Sequence, residues 1–292
     1  MAFSSLGVQL LFSSVAQAST GAISLGTAGS FAVLAGSGIT NTGPTTINGD
    51  LGTYPTTTIT GTSTLTITGT NQGGDSVTQS AKTDLVTAYN STASSGPTSP
   101  IVADLGGTTL APGVYNSASS IGLTGTLTLN GGGNANAVFI FQAGSTLTTA
   151  SASKVSLTNG AQACNVFWQI GSSATLGTGS NFTGTIMALT SITADTSATV
   201  QGRLLARNGA VTLDTNTVTT PTCLASSTST TASSTSTTAP GGISTTTLTV
   251  PKVKTGQPWS GQYWWMGIVA SLAFGAFLVI PPRVRRRFNR RS

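Results

Sequence analysis

The chain has 292 residues, 38% hydrophobic and only 6% charged, with no His. The lack of His excludes a His triad and a His metal site, and all six acids are Asp (Asp50, Asp75, Asp84, Asp104, Asp195 and Asp214), which excludes a Glu acid/base pair. The net charge of +6 invites a nucleic-acid reading. Eight of the twelve basic residues follow residue 250, however, and residues 19–223 set Lys82, Lys154, Arg203 and Arg207 against all six Asp, with no basic patch to hold phosphates.

In chain order, residues 1–18 read as an export signal. The stretch from Phe3 to Ala16 is mostly apolar, and Ala16-Gln17-Ala18 fits a small-x-small cleavage site. No basic residue precedes it, so the n-region is short. Residues 19–223 form the body, made of short runs of Thr, Val, Ile and Phe cut by Gly, a pattern that predicts strands with tight corners. One segment departs from it. Ser76 to Asn90 places Val77, Ala81, Leu85, Ala88 and Tyr89 at helical spacing, with Ser76 as the expected N-cap. Cys164 and Cys223 are an even pair in an exported chain and predict one disulfide.

Residues 224–258 are rich in Ser and Thr and read as an extended stalk that buries too little apolar surface to order. Residues 259–282 contain an uncharged apolar run of 18, Tyr263 to Ile280, which predicts a C-terminal transmembrane helix. Tyr263, Trp264 and Trp265 mark one interface. Six Arg within the basic tail 283–292 mark the cytoplasmic side. The body is then exported and anchored to the membrane from outside. Lys254-Thr255-Gly256 before the span leaves cell-wall attachment as the alternative.

The body's runs can be laid in register. Ala137–Phe141, Asn165–Trp168, Thr185–Ala188 and Arg203–Ala206 predict one face; Ser145–Thr148, Ser173–Leu176, Ser191–Ala194 and Ala210–Leu213 predict a second. With Leu147, Leu176, Ala194 and Leu213 inward, alternation turns Thr146, Thr175, Thr193 and Thr212 outward in a row. Thr148, Gly177, Asp195 and Asp214 form the next outward column. Coils of about 18 residues with three faces predict a β-solenoid with strands about 4.8 Å apart.

The segments LGTAGSFAVLAGSGITNTGPTTINGDLG (25–52), LGGTTLAPGVY (105–115), NANAVFIFQAGSTLTTA (134–150), NVFWQIGSSATLG (165–177) and GRLLARNGAVTLDTNTV (202–218) resemble the DUF3494 ice-binding proteins. The resemblance implies a mainly β fold: an irregular right-handed β-solenoid of triangular section with one long α-helix packed alongside. It also implies an ice-crystal surface as partner and a flat face as the site, with a Thr-Ala/Gly-x-Thr/Asn pattern in some members. That pattern occurs at Thr42–Thr45, Thr68–Asn71, Thr178–Asn181 and Thr193–Thr196, and on the predicted helix at Thr87–Asn90. The expected face is centred on Thr175 and Thr193 and extended by Thr146 and Thr212, with Thr148, Thr178, Asn181, Thr196 and Thr215 at its corners. Thr42 is expected on another part of the solenoid.

No cofactor, metal or nucleic acid is expected, and the body is expected to be a monomer. Two other functions stay open. Asp195 and Asp214, at one register in adjacent coils, could serve a polysaccharide-active enzyme, although the reading is of a non-enzyme. A surface adhesin binding glycan or another cell would use the same stalk and anchor.

Overall fold

The structure is a computed structural model that describes residues 22–224. The signal 1–18, the stalk beyond Leu224, the span 259–282 and the tail 283–292 lie outside the described residues. Among the described residues no helix is long and apolar enough to cross a membrane.

Every strand pair is parallel, and the strands stack in coils with three sides. The first face includes Gly113–Ser117, Phe139–Ala143 and Val166–Ile170, in register as Tyr115, Phe141 and Trp168, and continues through the second halves of Asn181–Ala188 and Thr199–Ala206. Its inward side chains feed the main core, where Phe141 stacks on Trp168 at 4.0 Å between ring centroids and Trp168 meets Phe182 at 5.1 Å. The Trp168 indole N–H donates to the Thr183 carbonyl at 3.1 Å, so the ring is buried without an orphaned donor. All four predicted runs contribute to this face, although Ala137, Val138 and Asn165 lie just before its strands.

Asn181–Ala188 and Thr199–Ala206 cross from the third face to the first without a turn. Gly184 and Gly202 pair at the bend. A Cβ on Gly202 would lie 1.9 Å from the Gly184 carbonyl oxygen, so only glycine lets the two backbones approach there.

The coils are not stacked in chain order. The second face runs Ile121–Leu123, Leu147–Thr149, Ala174–Leu176, Ile192–Ala194, Ala210–Asp214, and then Gly38–Thr42 and Ile59–Thr60. The N-terminal coils therefore sit on the C-terminal one, and the chain must return the height of the stack before Thr98–Pro100 pairs at the far end. The helix Ser76–Ala93 makes that return. Its 18 residues rise about 27 Å, and six steps between seven strands span about 29 Å. Helix length and solenoid height are matched.

The helix lies on the first face. Ala81, Leu85, Ala88 and Tyr89 pack on the outward side chains Ile140, Phe167, Met187 and Leu205. Two expectations are corrected. The N-cap is Asp75, one residue before Ser76, because its carboxylate reaches the Thr78 N–H at 2.8 Å. Val77 faces solvent, whereas Thr78, Lys82 and Thr92 are buried and continue the helix to Ala93. At the other end Gln142 donates to the carbonyls of Thr92, Ala93 and Ser95 at 2.7, 3.3 and 3.0 Å, tying the helix C-terminus to the first face.

Lys82 is an unexpected buried charge on the helix. Its ammonium donates to the carbonyls of Ala206 at 2.6 Å and Arg207 at 2.5 Å. Burial, and secondarily the Arg207 charge, pull its pKa from 10.5 down to about 8. Between these values the unfolded chain binds the proton that the folded chain has released, so folding stability rises with pH across this window. Urea unfolding of the wild type should show a gain of up to about 3 kcal/mol between pH 8 and 10.5 that Lys82→Met lacks. A wild type and Lys82→Met that keep a constant stability difference over that range would contradict the assignment.

The Cys164–Cys223 disulfide is present, with Cα atoms 5.5 Å apart and a sequence separation of 59. Closing that loop in the unfolded chain predicts a loss of about 4 kcal/mol for the double change to Ala. Denaturant titration against the unreduced parent measures it, and two free thiols by mass spectrometry would refute the pairing.

Candidate functional site

The second face carries the row that alternation demanded, in a corrected register. Thr148 pairs with Thr175, Thr175 with Thr193, and Thr193 with Thr212; the row continues through Thr40 and Thr60. Six threonines thus stand one per strand over five steps, about 24 Å at the usual strand spacing. Gly122 ends the row on the other side. Beneath it Leu147, Ala174, Ile192, Val211 and Ile39 are buried in the core.

Thr146 is not in the row. It lies two residues back, at the corner leading into the face, where its hydroxyl and that of Ser120 are 2.8 Å apart. Leu147 accordingly stacks on Ala174 rather than on Leu176. The expected register was two residues out at this coil. A slip of two keeps every side chain on its own face, so hydrophobic alternation could not detect it. Thr42 is also relocated. It pairs with Asp214 and belongs to this same face, two residues along the strand from Thr40.

The corner residues do not act alike. Thr178 and Thr196 are exposed just past the face. The Thr196 hydroxyl donates to Asp214, and the Thr215 hydroxyl donates to the other oxygen of the same carboxylate at 3.0 Å. Thr215 adopts φ 55°, a left-handed conformation that costs a β-branched residue on the order of 1–2 kcal/mol, and its N–H is held by the Thr42 carbonyl at 3.0 Å. Asn181 lies past the corner, at the first residue of the third face, where it accepts from the Thr199 hydroxyl at 2.5 Å. Asp214 is therefore occupied by hydroxyl donors at the edge of the face. Among the described residues no group of three or more Asp or Cys could hold a metal.

The third face has its own register, absent from the sequence reading: Lys154, Asn181, Thr199, Thr217, Thr46 and Thr66. It differs from the second in carrying the Lys154 ammonium. A hollow of about 700 Å³ lined by Lys154, Asn181, Thr183, Gln201 and Thr217 among others opens on it, and one of about 610 Å³ lined by Ser120, Ile121, Gly122 and Thr148 among others lies at the Gly122 end of the second. On the second face none of the hydroxyls of Thr40, Thr60, Thr148, Thr175, Thr193 and Thr212 has a hydrogen-bond partner among the described residues, whereas the third-face row is interrupted by Lys154 and Asn181 and by Thr199, which donates to Asn181, and leaves only Thr217, Thr46 and Thr66 unpaired. Thr40, Thr60 and Thr148 are exposed, and the inner three are half-buried by their neighbours.

The class so defined is a parallel β-solenoid with a helix along one side and an in-register row of unpaired hydroxyls on another. Residues 33–219 match the family model described as Ice-binding-like. The chain is 50% identical over 196 residues to an ice-binding protein of Nostoc sp. (strain HG1), covering 66% of this chain and 72% of that one. An ice-binding protein of Colwellia sp is 38% identical over 220 residues, 69% of this chain and 85% of its own. Among solved structures, an ice binding protein from an Antarctic biological consortium superposes with a TM-score of 0.68 at 44% identity, covering 75% of this chain and 97% of that one. The chain belongs to the ice-binding-like family.

Proposed function

We propose that this chain binds ice through the second face, using the row Thr148, Thr175, Thr193, Thr212, Thr40 and Thr60. The observation that carries the reading is that these six hydroxyls are in register and have no protein partner, so each is left to hold a water. The γ-methyl beside each hydroxyl packs the water cage against an apolar patch. Parallel stacking keeps such a sheet flat and its spacing regular. No charged side chain stands in the row itself, where it would impose its own hydration. Thr178 extends the surface at the corner; Thr196, Asn181, Thr146 and Thr215 have other partners or positions and are not counted in it.

The reading includes export through residues 1–18 and attachment through the 259–282 span by way of the stalk, with the body acting as a monomer outside the cell. The similarity to ice-binding proteins supports the ice-binding part.

The test grows single ice crystals in the presence of the full chain. Faceting and slowed recrystallisation are expected, and Thr199→Tyr on the third face should change neither. Round crystals and unimpeded recrystallisation from folded protein would end the ice reading and leave the adhesin alternative.

A further inference from the structure

The described chain leaves the solenoid at a place the fold controls closely. Thr217–Thr219 lies on the third face beside Thr199–Ala206, yet the disulfide joins Cys223 to Cys164, at the entry to Val166–Ile170. In the stack the strand 199–206, then 181–188, then 166–170 follow one another. Residues 220–224 therefore run along the edge between the third and first faces, past two coil levels. At the end of this strap the Leu224 N–H donates to Gln162 Oε1 at 2.6 Å, and Gln162 Nε2 donates to the Leu224 carbonyl at 3.1 Å. Gln162 is itself anchored by donating to the Ala135 carbonyl at 2.8 Å, which also accepts from Asn165 at 3.2 Å. One covalent bond and a two-way amide contact thus hold the last described residue in place.

In a three-sided solenoid the edge between the third and first faces is the one opposite the second. The N-terminal end also lies away from the second face, since Ile23 and Leu25 pack with the helix on the first. We infer that the Cys164–Cys223 and Gln162–Leu224 contacts form an orienting grip. They deliver whatever follows Leu224 from the edge opposite the threonine row, so that a body held by its C-terminal end presents that row outward, to ice. This rests on the assignment of the row as the ice face. An entropic staple anywhere in the C-terminal coils would stabilise the fold; this one also fixes the edge from which the tether leaves.

The experiment uses the full chain with a biotin-acceptor peptide inserted directly after Leu224 or, separately, after Asn208, an exposed turn residue leading into the second face. Thermal hysteresis is read with and without bound streptavidin. Streptavidin after Leu224 should leave hysteresis unchanged, and streptavidin after Asn208 should abolish it. Loss of hysteresis on loading the Leu224 position overturns the inference. Absence of hysteresis in both unloaded chains instead refutes the underlying ice reading. The grip itself is tested on beads bearing the chain through the Leu224 biotin. The Gln162→Ala, Cys164→Ala, Cys223→Ala variant, checked to retain hysteresis when unloaded, should hold fewer beads to growing ice than the parent. Equal bead adhesion would show that the grip does not orient the body.

Discussion

Thr193→Tyr is expected to abolish ice activity while leaving the melting temperature nearly unchanged. Thr193 stands in the middle of the row, between Thr175 and Thr212. A phenol ring there would hold the surface off the lattice across its neighbours on both sides. Its stability cost should be within about 0.5 kcal/mol, because the site is outward, makes no side-chain hydrogen bond and lies in a strand, which accommodates aromatics. Thr40→Tyr should act in the same direction, although Thr40 belongs to an N-terminal coil far from Thr193 in sequence. Thermal hysteresis and recrystallisation inhibition report the activity, and thermal unfolding reports the fold. If Thr193→Tyr and Thr175→Tyr both retain wild-type hysteresis, the second face is not the site.

The largest expected stability effect is at Trp168. The ring is fully buried, sandwiched between Phe141 and Phe182, in an aromatic column that begins at Tyr115. Trp168→Ala removes that packing, opens a cavity and leaves the Thr183 carbonyl without its donor. A loss of about 4 kcal/mol is expected, a large part of a typical domain's total stability. Urea unfolding measures it. A loss below about 1 kcal/mol would mean that the core does not depend on the column as packed. Hysteresis measured well below the variant's melting temperature should persist, since the row does not touch this ring.

The sequence made the periodic part of the fold legible and hid the part that depends on closure. Coils of 18 and 19 residues aligned Thr175, Thr193 and Thr212 correctly, because inward and outward residues alternate without insertion there. The longer coil before Thr175 admitted two registers of equal parity, and the wrong one put Thr146 where Thr148 stands. Thr40 and Thr60 could not be placed at all. Their coil is first in the chain and late in the stack, and no local pattern announces a contact across some 170 positions. The helix was visible from its apolar spacing, but Lys82 was not, because a buried ammonium is satisfied only by carbonyls that the fold brings to it. The free state of the six hydroxyls is likewise a property of the assembled face. Sequence shows a Thr row but not which of its members are already engaged, as Thr199 is on the third face.

The out-of-order stacking has a consequence for how the molecule is made. Ordinary repeat arrays grow by adding neighbours and can begin anywhere along their length. Here the strands at 31–67 find their partners at 199–219: Leu34 beside Leu205, Thr40 beside Thr212, Thr46 beside Thr217. During synthesis the first coils emerge and must wait, their edges unpaired, until nearly the whole body has left the ribosome. Such long-range closure slows folding and couples the two ends into one cooperative event. A ribosome stalled before residue 199 would display an incomplete stack with an open lateral edge, which is a template for aggregation. Export before folding, with the disulfide sealed last at Cys223, would shelter the chain through that interval. The threonine row, built from both ends of the sequence, is complete only when the chain is.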